Sequence, residues 1–204
     1  MTVSVIIVGI NGWEEYTRPL IADIWTHEPD ADIICIDNAS DTPYPTAPHI
    51  HRLDERVCYA GAINRGIGLA QGDWLLVLNN DVRCNGKFLH LVEALDKNAI
   101  YGMTLYSEPT FDWLSSWIFA MHRSIFEKVG LFDIRFEVCA YEDVDYCYRA
   151  KKGGIETKKM SLPFMHLDGK TRWGLPQYEE TRQANIKRFQ AKWGIQLQTR
   201  VYHE

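Results

Sequence analysis

The 204-residue chain is 46% hydrophobic and 24% charged, close to the average of soluble globular proteins, which excludes a disordered tail, a collagen-like rod or a coiled coil. At roughly 100–200 residues per domain its length suits one compact domain. The net charge of −5 is unevenly spread, since residues 149–204 carry 12 Lys and Arg against 5 Asp and Glu (+7), leaving 10 against 22 (−12) before them.

Thr2–Val8 is a short β-branched run and reads as a buried strand, ended by Asn11-Gly12. Trp13–His27 then has apolar residues at helical spacing: Trp13, Tyr16, Leu20 and Ile24. Ala31–Ile36 is a second buried strand closed by Asp37-Asn38-Ala39-Ser40, and the three prolines of Asp41–Pro48 make an irregular loop. Ala60–Gln71 reads as a helix with small residues on one face, stopped by Gly72. Trp74–Leu78 is a third buried strand that ends abruptly at Asn79-Asn80-Asp81. An amphipathic helix follows over Lys87–Lys97.

Beyond residue 100 the pattern loosens. Trp117–Met121 reads as a strand and Ser124–Val129 as a short helix closed by Gly130. Glu142–Lys152 is a better helix, with acids in its first turn, bases in its last and Gly153-Gly154 as the stop. Ile155–Met160 reads as a strand and Pro176–Trp193 as a final helix with proline near its start. Strands alternating with helices specify an α/β fold with an open, mostly parallel sheet.

The longest apolar runs, Val5–Val8 and Trp74–Leu78, fall far short of the ~20 residues of a membrane-spanning helix. No basic segment precedes an apolar one at the N-terminus, so a cleaved secretion signal is not expected and the expected location is cytoplasmic. Five scattered cysteines without a C-x-x-C pair speak against a disulfide framework or structural zinc. They read as small buried hydrophobes.

In an open parallel sheet, ligands bind beyond the carboxyl ends of the strands. Three candidate strands end in polar residues: Gly9–Asn11, Asp37–Ser40 and Asn79–Asp81. Together they point to a nucleotide site. The first strand–helix turn, Gly9-Ile10-Asn11-Gly12-Trp13, lacks the G-x-G-x-x-G spacing, and the chain has no P-loop motif. Phosphate is then most simply held by a divalent cation and scattered donors.

Five segments in order carry a resemblance: Val3–Val8, Ile36–Ser40, Tyr59–Gly66, Gly72–Asp81 and Tyr141–Arg149. Together they resemble family-two glycosyltransferases of the GT-A fold, especially short rhamnosyltransferase-like members, over about Thr2–His166. The resemblance implies a single-domain, Rossmann-like mixed central sheet flanked by helices. Residues 1–100 would form the nucleotide-sugar-binding half, 101–175 the acceptor and catalytic half, and 176–204 a C-terminal helix. It places Val8, Gly9, Asn11, Asp37 and Asn38 at the base and ribose. Gly61, Asn64 and Arg65 fall beside the ribose or phosphate, with Asn79 and Asn80 at the nucleotide. Asp81 stands in the position of the metal-binding Asp-x-Asp motif, whose first acid is Asn79 here, and His166 matches a histidine that completes the coordination of Mn²⁺ or Mg²⁺. Glu142-Asp143 corresponds to the pair that supplies the general base, and the analogy favours Asp143 narrowly over Glu142.

The chemistry suits those roles. A nucleoside diphosphate leaves readily only when its developing charge is neutralised, as a divalent cation can do. An acceptor hydroxyl must lose a proton as it attacks, and a carboxylate within hydrogen-bond reach can take it. Trp113, Ser116 and Trp117 suit sugar stacking and hydrogen bonding at the acceptor, although core packing is the plainer reading of Trp117. Lys170 and Arg172 in the polar stretch Asp168–Gly174 suit phosphate. Asp145 also reads plainly as a first-turn acid pairing with Arg149 at i,i+4. The expected activity is metal-dependent, inverting transfer of a sugar from a UDP or dTDP donor to an acceptor hydroxyl. Acceptors compatible with the sequence are a glycan, a lipid-linked sugar, a protein or, given the basic C-terminal quarter, an anionic macromolecule such as modified phage-type DNA. A nucleotidyltransferase of similar fold and a catalytically silent nucleotide-sugar-binding module are the alternatives; oligomeric state is left open.

Overall fold

The computed structural model describes residues 2–167 and 177–197. Its first half runs β1 (Val3–Gly9), α1 (Arg18–His27), β2 (Asp32–Asp37), β3 (Ile50–Arg52), α2 (Tyr59–Leu69), β4 (Trp74–Asn79), β5 (Val82–Cys84) and α3 (Leu89–Glu93). The second half adds β6 (Ala99–Gly102), β7 (Leu105–Ser107), β8 (Asp112–Leu114), β9 (Ile118–His122), α4 (Arg123–Val129), α5 (Glu142–Lys152), β10 (Glu156–Lys159), β11 (Phe164–His166) and α6 (Tyr178–Trp193).

Seven strands form one mixed sheet in the order β10-β6-β9-β4-β1-β2-β3. β1 pairs in parallel with both β2 and β4, and β9 runs antiparallel between β4 and β6. The sheet is covered on both faces, so its central strands are continuous apolar runs rather than alternating ones. Ile6, Val8, Ile34, Ile36, Leu75 and Val77 face the core that holds α2 and α5. Their neighbours Val5, Ile7, Ile33, Cys35, Leu76 and Leu78 face the core that holds α1 and α3. Gly66 shows why α2 needs small residues: a Cβ there would lie 2.3 Å from Ile6 Cγ2 of β1.

Two expected helices are shorter than the sequence pattern. Trp13–Thr17 is a π-type turn and the α-helix begins only at Arg18. Pro19 lacks an N–H and its ring opposes the carbonyl four residues back, so a regular α-helix cannot pass through it. In Lys87–Lys97 only Leu89–Glu93 is helical, and beyond it Asp96 Oδ1 accepts from the Asn98 N–H in a local turn. The strands β3, β5, β6, β7, β8 and β11 have three or four residues each and were not expected. All five cysteines are free thiols. Among the described residues no helix is long and apolar enough to cross a membrane.

Candidate active site

Strand register places the polar strand ends at one level. Gly9 of β1 pairs with Asp37 of β2, and Val8 pairs with Asn79 of β4. The antiparallel β9 begins at the same edge, where Ile118 pairs with Leu78 and the Trp117 carbonyl accepts from the Asn79 N–H. Above this edge lies a cavity of about 610 Å³. Its lining includes Val8, Gly9, Asn38, Gly61, Asn79, Asn80, Asp81, Ser116, Trp117, Glu142 and His166. These expected residues come from seven separate stretches of chain and are brought together.

Asp81 and His166 form one wall. β11 pairs antiparallel with β5 so that His166 stands opposite Val82, and the Leu167 N–H donates to the Asp81 carbonyl. This places His166 Nε2 3.4 Å from Asp81 Oδ1. The Trp117 ring stacks on the His166 ring at 5.0 Å and 11°, and Trp117 Nε1 donates to Thr104 Oγ1. Trp117 therefore packs, and it also lines the cavity. A carboxylate and an imidazole suit Mn²⁺ well, with phosphate oxygens and water to complete the shell. Among the described residues no group of three or more His, Cys, Asp and Glu is gathered as a closed metal cage. The pair thus fits an open site that shares its cation with a ligand.

Glu142 forms another part of the wall, and the structure separates it from Asp143. Asp143 is fully buried and does not line the cavity; its oxygens accept from the Ser116 and Val144 N–H groups. The Glu142 carboxylate faces the cavity instead, with Oε1 taking a hydrogen bond from Ser116 Oγ at 3.2 Å and Oε2 making none. Burial, and next the Asp143 charge, push the Glu142 carboxyl up to about 8 from its ordinary 4.5. The chain enters α5 through left-handed backbone at Val138 (φ 56°), Ala140 (82°) and Tyr141 (74°). Positive φ at a β-branched valine is rare, and such strain concentrates at functional sites. The first residue of the helix, Glu142, lines the cavity and the second, Asp143, does not.

Tyr59 is a site residue that the sequence reading passed over. Its hydroxyl spans the two walls, donating to Asn79 Oδ1 and approaching the Ser116 carbonyl. Burial, then the charges of Glu142, Asp81 and Asp143, push its phenol well above 10. The only signal was its place at the start of a small-residue helix. Cys58, Val138, Cys139 and Tyr178 also line the cavity.

Several expected residues lie elsewhere. Asp37 is fully buried and accepts from the Ser40 and Tyr44 N–H groups and from Arg52 Nη1. Burial raises its pKa, but those hydrogen bonds prevail and hold it below the ordinary carboxylate range. Asn11 is exposed and clasps Asp41 and Ser40. Asn64 clasps the backbone of Phe132, and Arg65 points to solvent. Trp113 is wholly buried against Tyr106, with ring centroids 4.2 Å apart, and offers no surface to an acceptor. Asp145 follows the plainer reading, pairing with Arg149 Nε at 2.9 Å. Lys170 and Arg172 lie outside the described residues.

No curated protein matches the chain. Among solved structures, GalNAc-T7 with UDP, GalNAc and Mn²⁺ is similar at TM-score 0.73 and 15% identity, over 95% of this chain and 49% of that one. This chain therefore spans about half the length of that protein. The mannosyltransferase PcManGT of Pyrobaculum calidifontis, with GDP-Man and Mn²⁺, aligns at TM-score 0.65 and 15% identity over 93% and 63% of the two chains. A Drosophila β1,4-galactosyltransferase 7 with manganese, UDP-Gal and xylobiose aligns at 0.60 and 16%, over 89% and 80%. At these identities the likeness establishes a shared GT-A fold, as expected. The family model for glycosyl transferase family 2 matches residues 4–148, which include Asp81 and Glu142 but not His166, and the chain belongs to that family.

Proposed function

We propose that this chain is a metal-dependent, inverting glycosyltransferase that moves a sugar from a nucleoside-diphosphate donor to an acceptor hydroxyl. One observation carries the reading: the Asp81–His166 pair and the Glu142 carboxylate face the same cavity beyond the carboxyl ends of parallel strands. The donor nucleotide would lie over β1 and β4, where Val8, Gly9, Asn38, Asn79 and Asn80 line the cavity. Asp81 and His166 would hold Mn²⁺ or Mg²⁺. When bound, that cation supplies Lewis-acid neutralisation of the diphosphate as charge develops on it.

Glu142 acts as the general base in place of Asp143, which the sequence analogy favoured. Asp143 is committed to two backbone N–H groups and does not line the cavity, whereas Glu142 lines it. As the acceptor oxygen bonds to the anomeric carbon, its proton passes to Glu142 and the bond from that carbon to the diphosphate breaks on the opposite face. A single displacement of this geometry inverts the anomeric centre. UDP or dTDP sugars are the expected donors. Solved relatives in the fold hold UDP with GalNAc, UDP-Gal and GDP-Man, so a guanosine donor belongs in the test.

The experiment is a thermal-shift panel of nucleotide sugars with and without Mn²⁺. A ligand at ~100 Kd stabilises its protein by about 2.7 kcal/mol, so the cognate donor should raise Tm only when the cation is present. The Asp81→Asn variant should lose that Mn²⁺-dependent rise. Equal shifts with and without Mn²⁺ would contradict the cation's role.

A further inference from the structure

The fully buried side chain of Asn185 sits in the middle of α6, beyond the residues that match the family model. Asparagine is a poor helix former, and a buried amide needs partners. The acceptors of its amide N–H groups all lie in one segment. Asn185 Nδ2 donates to the carbonyls of Glu137 at 3.0 Å, Cys139 at 3.2 Å and Ala140 at 2.9 Å. Its Oδ1 accepts from Arg188 Nη1 at 2.6 Å.

The three carbonyls belong to the left-handed stretch that leads into α5, where Val138, Ala140 and Tyr141 all have positive φ. Backbone in that conformation persists only when its surroundings over-determine it. One amide with two hydrogens serves three acceptors, so no simpler side chain replaces it. Further ties fix α6 against α5: Lys192 Nζ and Trp193 Nε1 donate to Asp145 Oδ1 at 2.6 and 2.8 Å. The start of α6 reaches the cavity itself, where Tyr178 is part of the lining.

We propose that Asn185 is a positioning residue for sugar transfer: its amide pins the 137–140 backbone in the turn that aims Glu142 into the cavity. The inference rests on the reading of Glu142 as general base. Asn185 touches neither donor nor acceptor in this account; it acts through the placement of Glu142 alone.

The test uses the full chain, Mn²⁺ and the nucleotide sugar with the largest turnover in a panel. Asn185→Leu keeps the branched outline of the side chain and favours helix, and Asn185→Ala serves as the second, smaller variant. Misplacing a catalytic group by about 1 Å can cost about 10²-fold, so kcat should fall by about that factor. KM for the donor and the Kd for UDP with Mn²⁺ should be unchanged. In a Glu142→Gln background, Asn185→Leu should lower the residual rate no further, because both changes remove the same contribution.

Wild-type kcat in Asn185→Leu beside an inactive Glu142→Gln variant would overturn this inference and leave the base assignment standing. An equal fractional loss in both backgrounds, or loss of UDP binding in both Asn185 variants, would make the amide merely structural and also overturn it. Full turnover by Glu142→Gln alone would remove the base assignment itself.

Discussion

Glu142 concentrates the conflict between stability and chemistry at a single side chain. Its carboxyl is held up to about 8 by burial and by the Asp143 charge, so the form able to take a proton is a minority at neutral pH. kcat/KM should therefore climb about tenfold per unit as pH rises toward 8 and level off above it, in a pH–rate profile. Stability runs the other way. A group whose pKa is higher folded than unfolded adds stability that is complete below about 4.5 and is lost as pH rises through about 8. Glu142→Gln should match the wild-type Tm near pH 5 and exceed it increasingly up to pH 8, in paired melting curves. A constant Tm difference across that range would contradict the buried, proton-binding state. The sequence offered the acid pair and favoured Asp143 narrowly, whereas the proposed base is Glu142. Helical geometry separates adjacent side chains by about 100°, yet the phase of α5 is set by left-handed residues at 138, 140 and 141. Val138 and Tyr141 carry no sequence signal for positive φ, so the choice could not be read.

Among the elements, the long apolar runs were readable and the short strands were not. β1, β2 and β4 are buried on both faces, and their composition alone marks them. β5 and β11 have three residues each and exist only as partners of one another, although their pairing is what brings His166 to Asp81. The approach of α2 to the sheet was legible in its small residues, and it sets a sharp tolerance. Gly66→Ala would place a methyl 2.3 Å from Ile6 Cγ2. Overpacking of this kind costs about 1–3 kcal/mol, and a denaturant melt should show that loss despite the better helix propensity of alanine. An unchanged melt would mean that α2 can slide away from β1 without cost.

Across the whole molecule, the cavity depends on a helix outside the family match. α6 is tied to α5 through Asp145, a fully buried carboxylate that takes Arg149, Lys192 and Trp193. Its two cationic partners are themselves only 19% exposed in their side chains. Removing one partner of a largely buried charge cluster is costly, and Asp145→Ala should lose about 3 kcal/mol in chemical denaturation. A loss near zero would show that α6 docks through its apolar contacts alone. The three polar strand ends that the sequence offered as a nucleotide site do converge on one edge, because parallel register forces them to the same level. Asp37 and Asn11 belong to that edge but are spent on holding its loops, a distinction made by tertiary hydrogen bonds rather than by residue type. In the proposed function, fold and chemistry meet in one cavity that Asp81, His166 and Glu142 all line. The most direct measurement is nucleotide release by Glu142→Gln at saturating donor and Mn²⁺, alongside its affinity for UDP and Mn²⁺. The account predicts a fall of about 10²–10⁴-fold in turnover with affinity intact; turnover at the wild-type rate would contradict it.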